Sequence, residues 1–411
     1  MCQRFAFWGV YYLLMLFLTG PLHYSLSKAA TVFGVYTGGT ALLNLLGGYI
    51  ADKWNNRSPI WLGMALTSLG CFLLVFYRPP LLVPALFSIG LGGALFNPTA
   101  YSLLGSLYSK RYHIREGGFS IYYVIANLGS CFGLLILGYA QTVHWRLAFF
   151  LAGCIPLLGL IPYQRALKHI KALPATPQRF IPKSKDPHGF RLKRHEKDRI
   201  IVILLMTFVS LFFWIAYNQI GSSITLFALN STDRTLGSFT LPVPWLTSLY
   251  PFFLALFAFP LARLYLFLRR IKSSASPPMR TALSLFFLGL CFMVLQRAAA
   301  SLQVAPGQSA ASLSYLVIAF ALMALAELFL TPILFSLVTH LSPHRYQGLL
   351  TGCWFTSMGI GLYLGGYFSR WLASMELTSF FDLFVWTSFI PAFTIVLFSK
   401  KLDSMRHIDF L

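Results

Sequence analysis

Glu327 is a single carboxylate near the middle of an apolar run from Leu313 to Thr339. A run of that length suits a bilayer crossing. A charge at its centre is costly unless it faces a bundle interior or a water-filled path. An anion held there would attract an ammonium group and could carry a proton. A neutral acid hydrogen-bonded within the bundle is the plainer alternative. Pro332, five residues on, predicts a bend or loosening just past the acid. Asn127 and Gln219 carry amides that can bond a solute, or that tie one helix to another equally well. Tyr123, Trp354, Trp214 and Phe355 offer ring surface for side-chain pockets, although packing explains any one of them taken singly. Ser336 is a further cavity candidate. Asp52, followed by Lys53 and Arg57, closes the stretch GGYIAD at a helix boundary. There, pairing or capping would lock one conformation and release it in another; an ordinary solvated turn fits the same residues.

Other chemistry finds little support. The nine histidines show no metal spacing, and the six cysteines stand singly in apolar stretches, as small buried hydrophobes do. With 11 Asp and Glu in 411 residues, no hydrolase pair is visible. No cofactor is expected. Ser222 and Ser223 beside Gly221 suit close helix packing better than nucleophilic attack. The chain is 57% hydrophobic and 10% charged, against about 25% charged in soluble domains. It cannot cover a water-facing surface. The mean hydropathy of +0.69 agrees.

These residues must therefore be positioned by membrane helices. Twelve apolar segments can be drawn: 4–22, 30–51, 60–76, 81–107, 119–140, 147–163, 199–227, 243–267, 281–299, the Glu327 run, 349–368 and 380–398. No cleavable signal pattern precedes the first. The predicted fold is an all-α membrane protein of twelve transmembrane helices in two six-helix bundles. Residues 1–163 form the first bundle, 164–198 a basic, proline-containing cytoplasmic linker, 199–399 the second bundle and 400–411 a cytoplasmic tail. The net charge of +21 is a topology signal rather than a nucleic-acid footprint. Arg4, Lys53, Arg57, Lys110, Arg111, Arg115, the linker, Arg269, Arg270, Lys272, Arg280, Arg345, Lys400 and Lys401 share one side. That side, with both termini, is expected to be cytoplasmic and drawn to anionic lipid.

Several stretches together resemble known signatures. GG-x-x-AD and its basic turn, Gly47–Arg57, is similar to the loop joining helices two and three in the major facilitator superfamily, which implies a gating role for Asp52, Lys53 and Arg57. Within that superfamily the chain resembles the proton-dependent oligopeptide transporters. GFSIYYVIANLG (118–129) is similar to FYxxINxG, with Tyr122, Tyr123, Asn127 and Gly129 matching. FFWIAYNQIGSSITLFALNSTDR (212–234) is similar to FFWxxxEQxGSSLTLFAxxNTDR. AELFLTPILFSLVTHLSP (326–343), GCWFTSMGIGLYLGG (352–366) and RFAFWG (4–9) match in order along the chain. The resemblance implies a monomeric, proton-coupled symporter of di- and tripeptides in a bacterial inner membrane, working by alternating access. Glu327 would sit near the peptide amino terminus, and Asn127, Gln219, Tyr123, Trp354 and Ser336 would line the site. The implied partners are small peptides and lipid, not nucleic acid.

The departures are as informative. Where the family has ExxER, the second Glu is Gln3, and Arg4 lacks acidic neighbours. The Arg shortly after the family's YYG corresponds to Tyr11. The Lys of LKPN is Asn97, and the Glu of the EQ pair is Asn218. Asn keeps hydrogen bonding but carries no proton. From sequence, then, a solute with two terminal charges would meet one acid and no evident cationic clamp. Three outcomes stay open: peptide transport coupled through Glu327 alone, a shift to another amine-bearing solute, carried with or without a proton, or a transport-inactive sensor or assembly protein.

Overall fold

The computed structural model describes residues 1–53, 58–107, 112–170, 193–270, 276–304, 310–343 and 346–407. Helices dominate because a chain in hydrocarbon must satisfy every backbone group internally. The first half holds α1 (Cys2–Thr19), α2 (Leu26–Lys53), α3 (Ser58–Leu74), α4 (Pro79–Leu107), α5 (Tyr112–Val143) and α6 (Trp145–Ile170). The second holds α7 (Arg194–Tyr217), α8 (Ser223–Asn230), α9 (Val243–Thr247), α10 (Leu249–Arg270), α11 (Pro277–Val304), α12 (Leu313–Leu341), α13 (Gln347–Phe368) and α14 (Leu377–Met405). The α7–α8 and α9–α10 pairs each make one broken crossing, which gives twelve crossings in all. Among the described residues, nine helical stretches are long and apolar enough to span a membrane. Side chains such as Val83, Phe393 and Leu397 stand outward with more than half their surface uncovered, which hydrocarbon tolerates and water does not.

Most helices overrun their apolar segments. α6 reaches Ile170 and α14 reaches Met405, since helix geometry continues past the hydrocarbon slab. α12 runs unbroken through Pro332. The break falls instead in the seventh crossing, where a 3₁₀ turn, Asn218–Gly221, separates α7 from α8. Nearby hydroxyls take up the freed carbonyls: Ser222 Oγ donates to Asn218 O at 3.0 Å and Thr225 Oγ1 to Ile220 O at 2.7 Å. Short 3₁₀ stretches within helices often mark hinges.

The molecule has two ends. One carries a small antiparallel hairpin, Thr235–Leu236 against Phe239–Thr240, turned by Gly237 at φ 63°; we call it the hairpin face. The other, the tail face, carries the ends of α6 and α14. There Arg199 at the start of α7 donates to the carbonyls of Arg406 and His407, and His407 Nε2 lies 2.7 Å from Asp198 Oδ2. The main packing between the halves runs α2 on α13, and α5 on α9 and α10, with α1 against the 3₁₀ turn and α8. Polar ties between the halves sit toward the hairpin face. Arg370 Nε donates to Ser27 Oγ at 2.8 Å, and Trp245 Nε1 to Leu135 O at 2.8 Å.

Candidate functional site

Two polar regions lie between the halves. The first is a seam. α2 and α13 cross so closely that a Cβ on Gly366 would stand 2.3 Å from the Cα of Gly34, and one on Gly34 would stand 2.8 Å from Tyr363 O. Only glycine permits such an approach. It brings Asn218, at the α7 break, within reach of the first half. Tyr11 Oη donates to Asn218 Oδ1 at 2.5 Å. Asn218 Nδ2 donates to Thr37 Oγ1 at 3.2 Å and to Leu362 O at 2.5 Å. Thr37 Oγ1 is 3.3 Å from Leu362 O and 3.2 Å from Gly34 O. All three side chains are buried.

Gln219 continues the seam within the second half. Its Nε2 donates to Gly365 O at 2.8 Å and Ile215 O at 3.2 Å, and its Oε1 accepts from Ser223 at 2.6 Å and Ser369 at 3.0 Å. The residue is fully buried. An amide has two donors and two acceptor positions, and here all four are taken. The sequence-based placement of Gln219 in the ligand-lining set is therefore corrected: its amide has no capacity left for a solute.

The second region is a cluster of α1, α5, α7 and α12 side chains. Glu327 has Tyr123 and Arg4 as its electrostatic neighbours, and Tyr12 and Tyr217 face it as well. Arg4 has Tyr101, Tyr122 and Tyr123 around it. Asn127 stands one turn from Tyr123 and donates to its carbonyl at 3.0 Å, so its amide is half-committed. Tyr122 approaches the Arg4 guanidinium and Tyr123 the Glu327 carboxyl, but Glu327 Oε2 and Arg4 Nε are buried with no hydrogen bond of their own. A buried, unmatched polar atom costs about 1–3 kcal/mol, and more when charged. Two together mark a place prepared for a ligand or water rather than for packing.

A neighbouring pair extends this pattern. A Cβ on Gly93 of α4 would meet the Phe7 ring of α1 at 2.6 Å, so those positions face each other. Successive crossings alternate in direction; one turn toward the tail face leads to Gln3 on α1 and Asn97 on α4. Gln3 is buried with both amide atoms unpartnered, and Asn97 Oδ1 is unpartnered too. Two uncharged amides occupy the register where the family resemblance implies an acid and a lysine.

The structure thus brings Glu327, Tyr123 and Asn127 together. Trp354 is instead buried and tilted against Phe355, with ring centroids 4.9 Å apart. Ser336, nine residues beyond Glu327, lies half a helical turn round α12 and is exposed; it does not join the cluster. Asp52 and Lys53 fall in the last turn of α2, their side chains outside the described residues, as is Arg57 altogether. Sequence reasoning missed Arg4 as the cation of the cluster. It also missed Tyr11 and Asn218 as partners, although both were noted as departures at charged family positions. A cavity of about 840 Å³ opens at the hairpin face, lined by Thr19, Tyr24, Trp145, Asn230, Arg234 and their neighbours. Glu327 is not in its lining, and Arg234 Nη1 is spent on Leu241 O at 2.8 Å. The orphaned charges, not this volume, identify the site.

The sequence and the fold have counterparts among known proteins. A family model described as Major Facilitator Superfamily matches residues 1–243, and one described as POT family matches residues 186–386. The chain is 25% identical to the peptide transporter YePEPT of Yersinia enterocolitica, covering 88% of this chain and 84% of that one. It is 24% identical to dipeptide and tripeptide permease B of Shigella dysenteriae, covering 90% and 85%. Its fold is similar to a crystal structure of a peptide transporter POT mutant in complex with alafosfalin, with a TM-score of 0.84 at 20% identity over 98% of this chain and 93% of the other. It is also similar to a POT family transporter in complex with 5-aminolevulinic acid, with a TM-score of 0.83 at 18% identity over 98% and 94%.

Proposed function

Because the chain belongs to the POT family of the Major Facilitator Superfamily and is an integral multi-pass membrane transporter rather than an enzyme, we propose that it carries di- and tripeptides by proton-coupled symport. The observation that carries this reading is that Arg4 and Glu327, one from each half, are buried as electrostatic neighbours, each with a polar atom left without a hydrogen bond. A zwitterionic peptide offers an ammonium to Glu327 and a carboxylate to Arg4. The bond spacing of a short peptide then sets the length accepted. Tyr123 and Asn127 line the space between, and Glu327 takes the proton. Rocking of the two halves opens the cluster to each side in turn. Asp52, Lys53 and Arg57 serve the gate at the tail end of α2. Loop charge sets the tail face and both termini in the cytoplasm of a bacterial inner membrane, and the protein works as a monomer.

The test is uptake of a labelled dipeptide into proteoliposomes, with and without an inward proton gradient, for the parent, Glu327→Gln and Arg4→Gln. Gradient-driven uptake lost in Glu327→Gln supports the assignment. Arg4→Gln should raise KM about tenfold for a free-acid dipeptide and leave its C-terminal amide unchanged. Uptake indifferent to the gradient and to both variants would sink it. The neutral residues Gln3, Asn97 and Asn218 favour a second reading, a carrier of some other amine-bearing solute. Uptake of amines but not of dipeptides in the same assay would select it.

A further inference from the structure

We propose that Tyr11, Thr37 and Asn218 form an uncharged latch that holds the hairpin-face ends of the two halves together, so that protons act on the conformational cycle through Glu327 and not through the seam. This goes beyond the solute reading and rests on it only for alternating access.

Three observations carry the inference. Tyr11 and Thr37 belong to the first half, whereas Asn218 and Leu362 belong to the second, so each of these bonds must break if the halves part at that end. Asn218 sits in the 3₁₀ turn that interrupts the seventh crossing, where a small backbone rotation can withdraw it without unwinding a helix. The packing admits the latch by design of its glycines. A Cβ on Gly221 would stand 2.6 Å from the Phe33 ring and 2.9 Å from the Tyr11 ring. Phe33 in turn meets Tyr11 edge-on at 5.3 Å, so the phenol is held in one orientation.

The latch is uncharged in each of its members, and so are its immediate surroundings. The titratable groups facing Tyr11 are Tyr12 on its own helix and Tyr36 on α2. Tyr217 adjoins Asn218 on α7, and Tyr363 of α13 packs on Gly34 and Gly38. Phenols ordinarily titrate near 10, well above the range in which a cell works. Glu327 reaches Tyr12 and Tyr217 from α12 but does not touch the latch itself; among the described residues it is the one acid facing these phenols. A hydrogen bond between neutral groups answers to geometry and desolvation, so its strength stays level while pH changes.

Spin-label distances between Thr142→Cys and Asn230→Cys test this in the full chain in proteoliposomes, with the native cysteines replaced by alanine. Both positions are exposed, at the hairpin ends of opposite halves. In a Glu327→Gln background the short-distance population should be the same at pH 5.5 and pH 8.0. Tyr11→Phe should raise the open-to-closed ratio about fivefold, and Thr37→Val should raise it by less, in the same direction. Asn218→Glu should make the ratio depend on pH. Two results would overturn the proposal: a ratio unchanged in both Tyr11→Phe and Thr37→Val, or a pH-dependent ratio in the Glu327→Gln background. The measurement needs no solute, so a failed peptide-uptake assay leaves it standing.

Discussion

The seam and the cluster lie within a few helical turns of each other and are built from similar residues, yet their polar atoms are treated in opposite ways. In the seam, every side-chain hydrogen-bonding position of Gln219 is used and Asn218 is tied on three sides. In the cluster, Glu327 Oε2, Arg4 Nε and the amide of Gln3 are buried without partners. The seam gains from being left alone, since the Tyr11–Asn218 and Thr37–Asn218 pairs favour contact between the halves and the Gln219 bonds brace the second half beneath them. The cluster gains from being visited, because a ligand that supplies the missing partners recovers what burial cost. Polarity alone does not distinguish the two; saturation does.

The contrast can be broken at several points. The largest effect is expected from Glu327→Gln, which removes the anion of the cluster. Loss of a charged hydrogen bond is worth about 1.5–3 kcal/mol, so uptake at low solute concentration should fall roughly 10- to 100-fold with the melting temperature held or raised. Gly366→Ala strikes the seam instead. Its Cβ meets backbone, which cannot swing aside, and overpacking of this kind costs about 1–3 kcal/mol. The purified protein should melt earlier, and the hairpin-face ends should part more often. Gln219→Leu strands the Ser223 hydroxyl and takes one partner each from Ser369 and Gly365 O, for a loss of about 1–2 kcal/mol in thermal unfolding and an unaltered KM. A raised KM with unaltered melting would move Gln219 into the cluster and undo the distinction.

The smallest effect concerns a carboxylate that belongs to neither region. Asp233 accepts from the Thr235 hydroxyl at 2.5 Å and from its backbone N–H at 3.0 Å, and both bonds hold it below the usual Asp value. Because the folded pKa is the depressed one, the contribution is present above the unfolded value of about 3.9 and lost as pH falls through the folded value. Amide exchange in the hairpin should be flat from pH 8 to about 5 and quicken on further acidification beyond the intrinsic trend. Asp233→Asn should abolish that excess.

Much of the fold could be read from hydropathy, because a helix that must face lipid declares itself by composition. The seventh crossing shows the limit. Its run reads as continuous, and the 3₁₀ turn at Asn218 arises from contacts with α1, α2 and α13 that no local window contains. The same limit explains the site. Glu327 is evident in the sequence because a charge in hydrocarbon needs a reason, and Tyr123 and Asn127 stand out by their match to the family's FYxxINxG signature. Gln219 has the same local appearance as Asn127, and only its neighbours reveal that its amide is fully engaged. Arg4 was undervalued because its neighbours in sequence are uncharged, whereas its neighbours in space include a carboxylate on a helix more than 300 residues away.

The glycine crossing of α2 and α13 also has a mechanical meaning. Gly34 lies near one end of α2, and Lys53 closes the other. At about 1.5 Å per residue, roughly 28 Å of rigid rod extends beyond the contact. If that contact served as a fulcrum, a tilt of about 10° would swing the far tip by some 5 Å, roughly the rise of one helical turn. Two hydrogen atoms in place of methyl groups would then set the gearing of the whole machine.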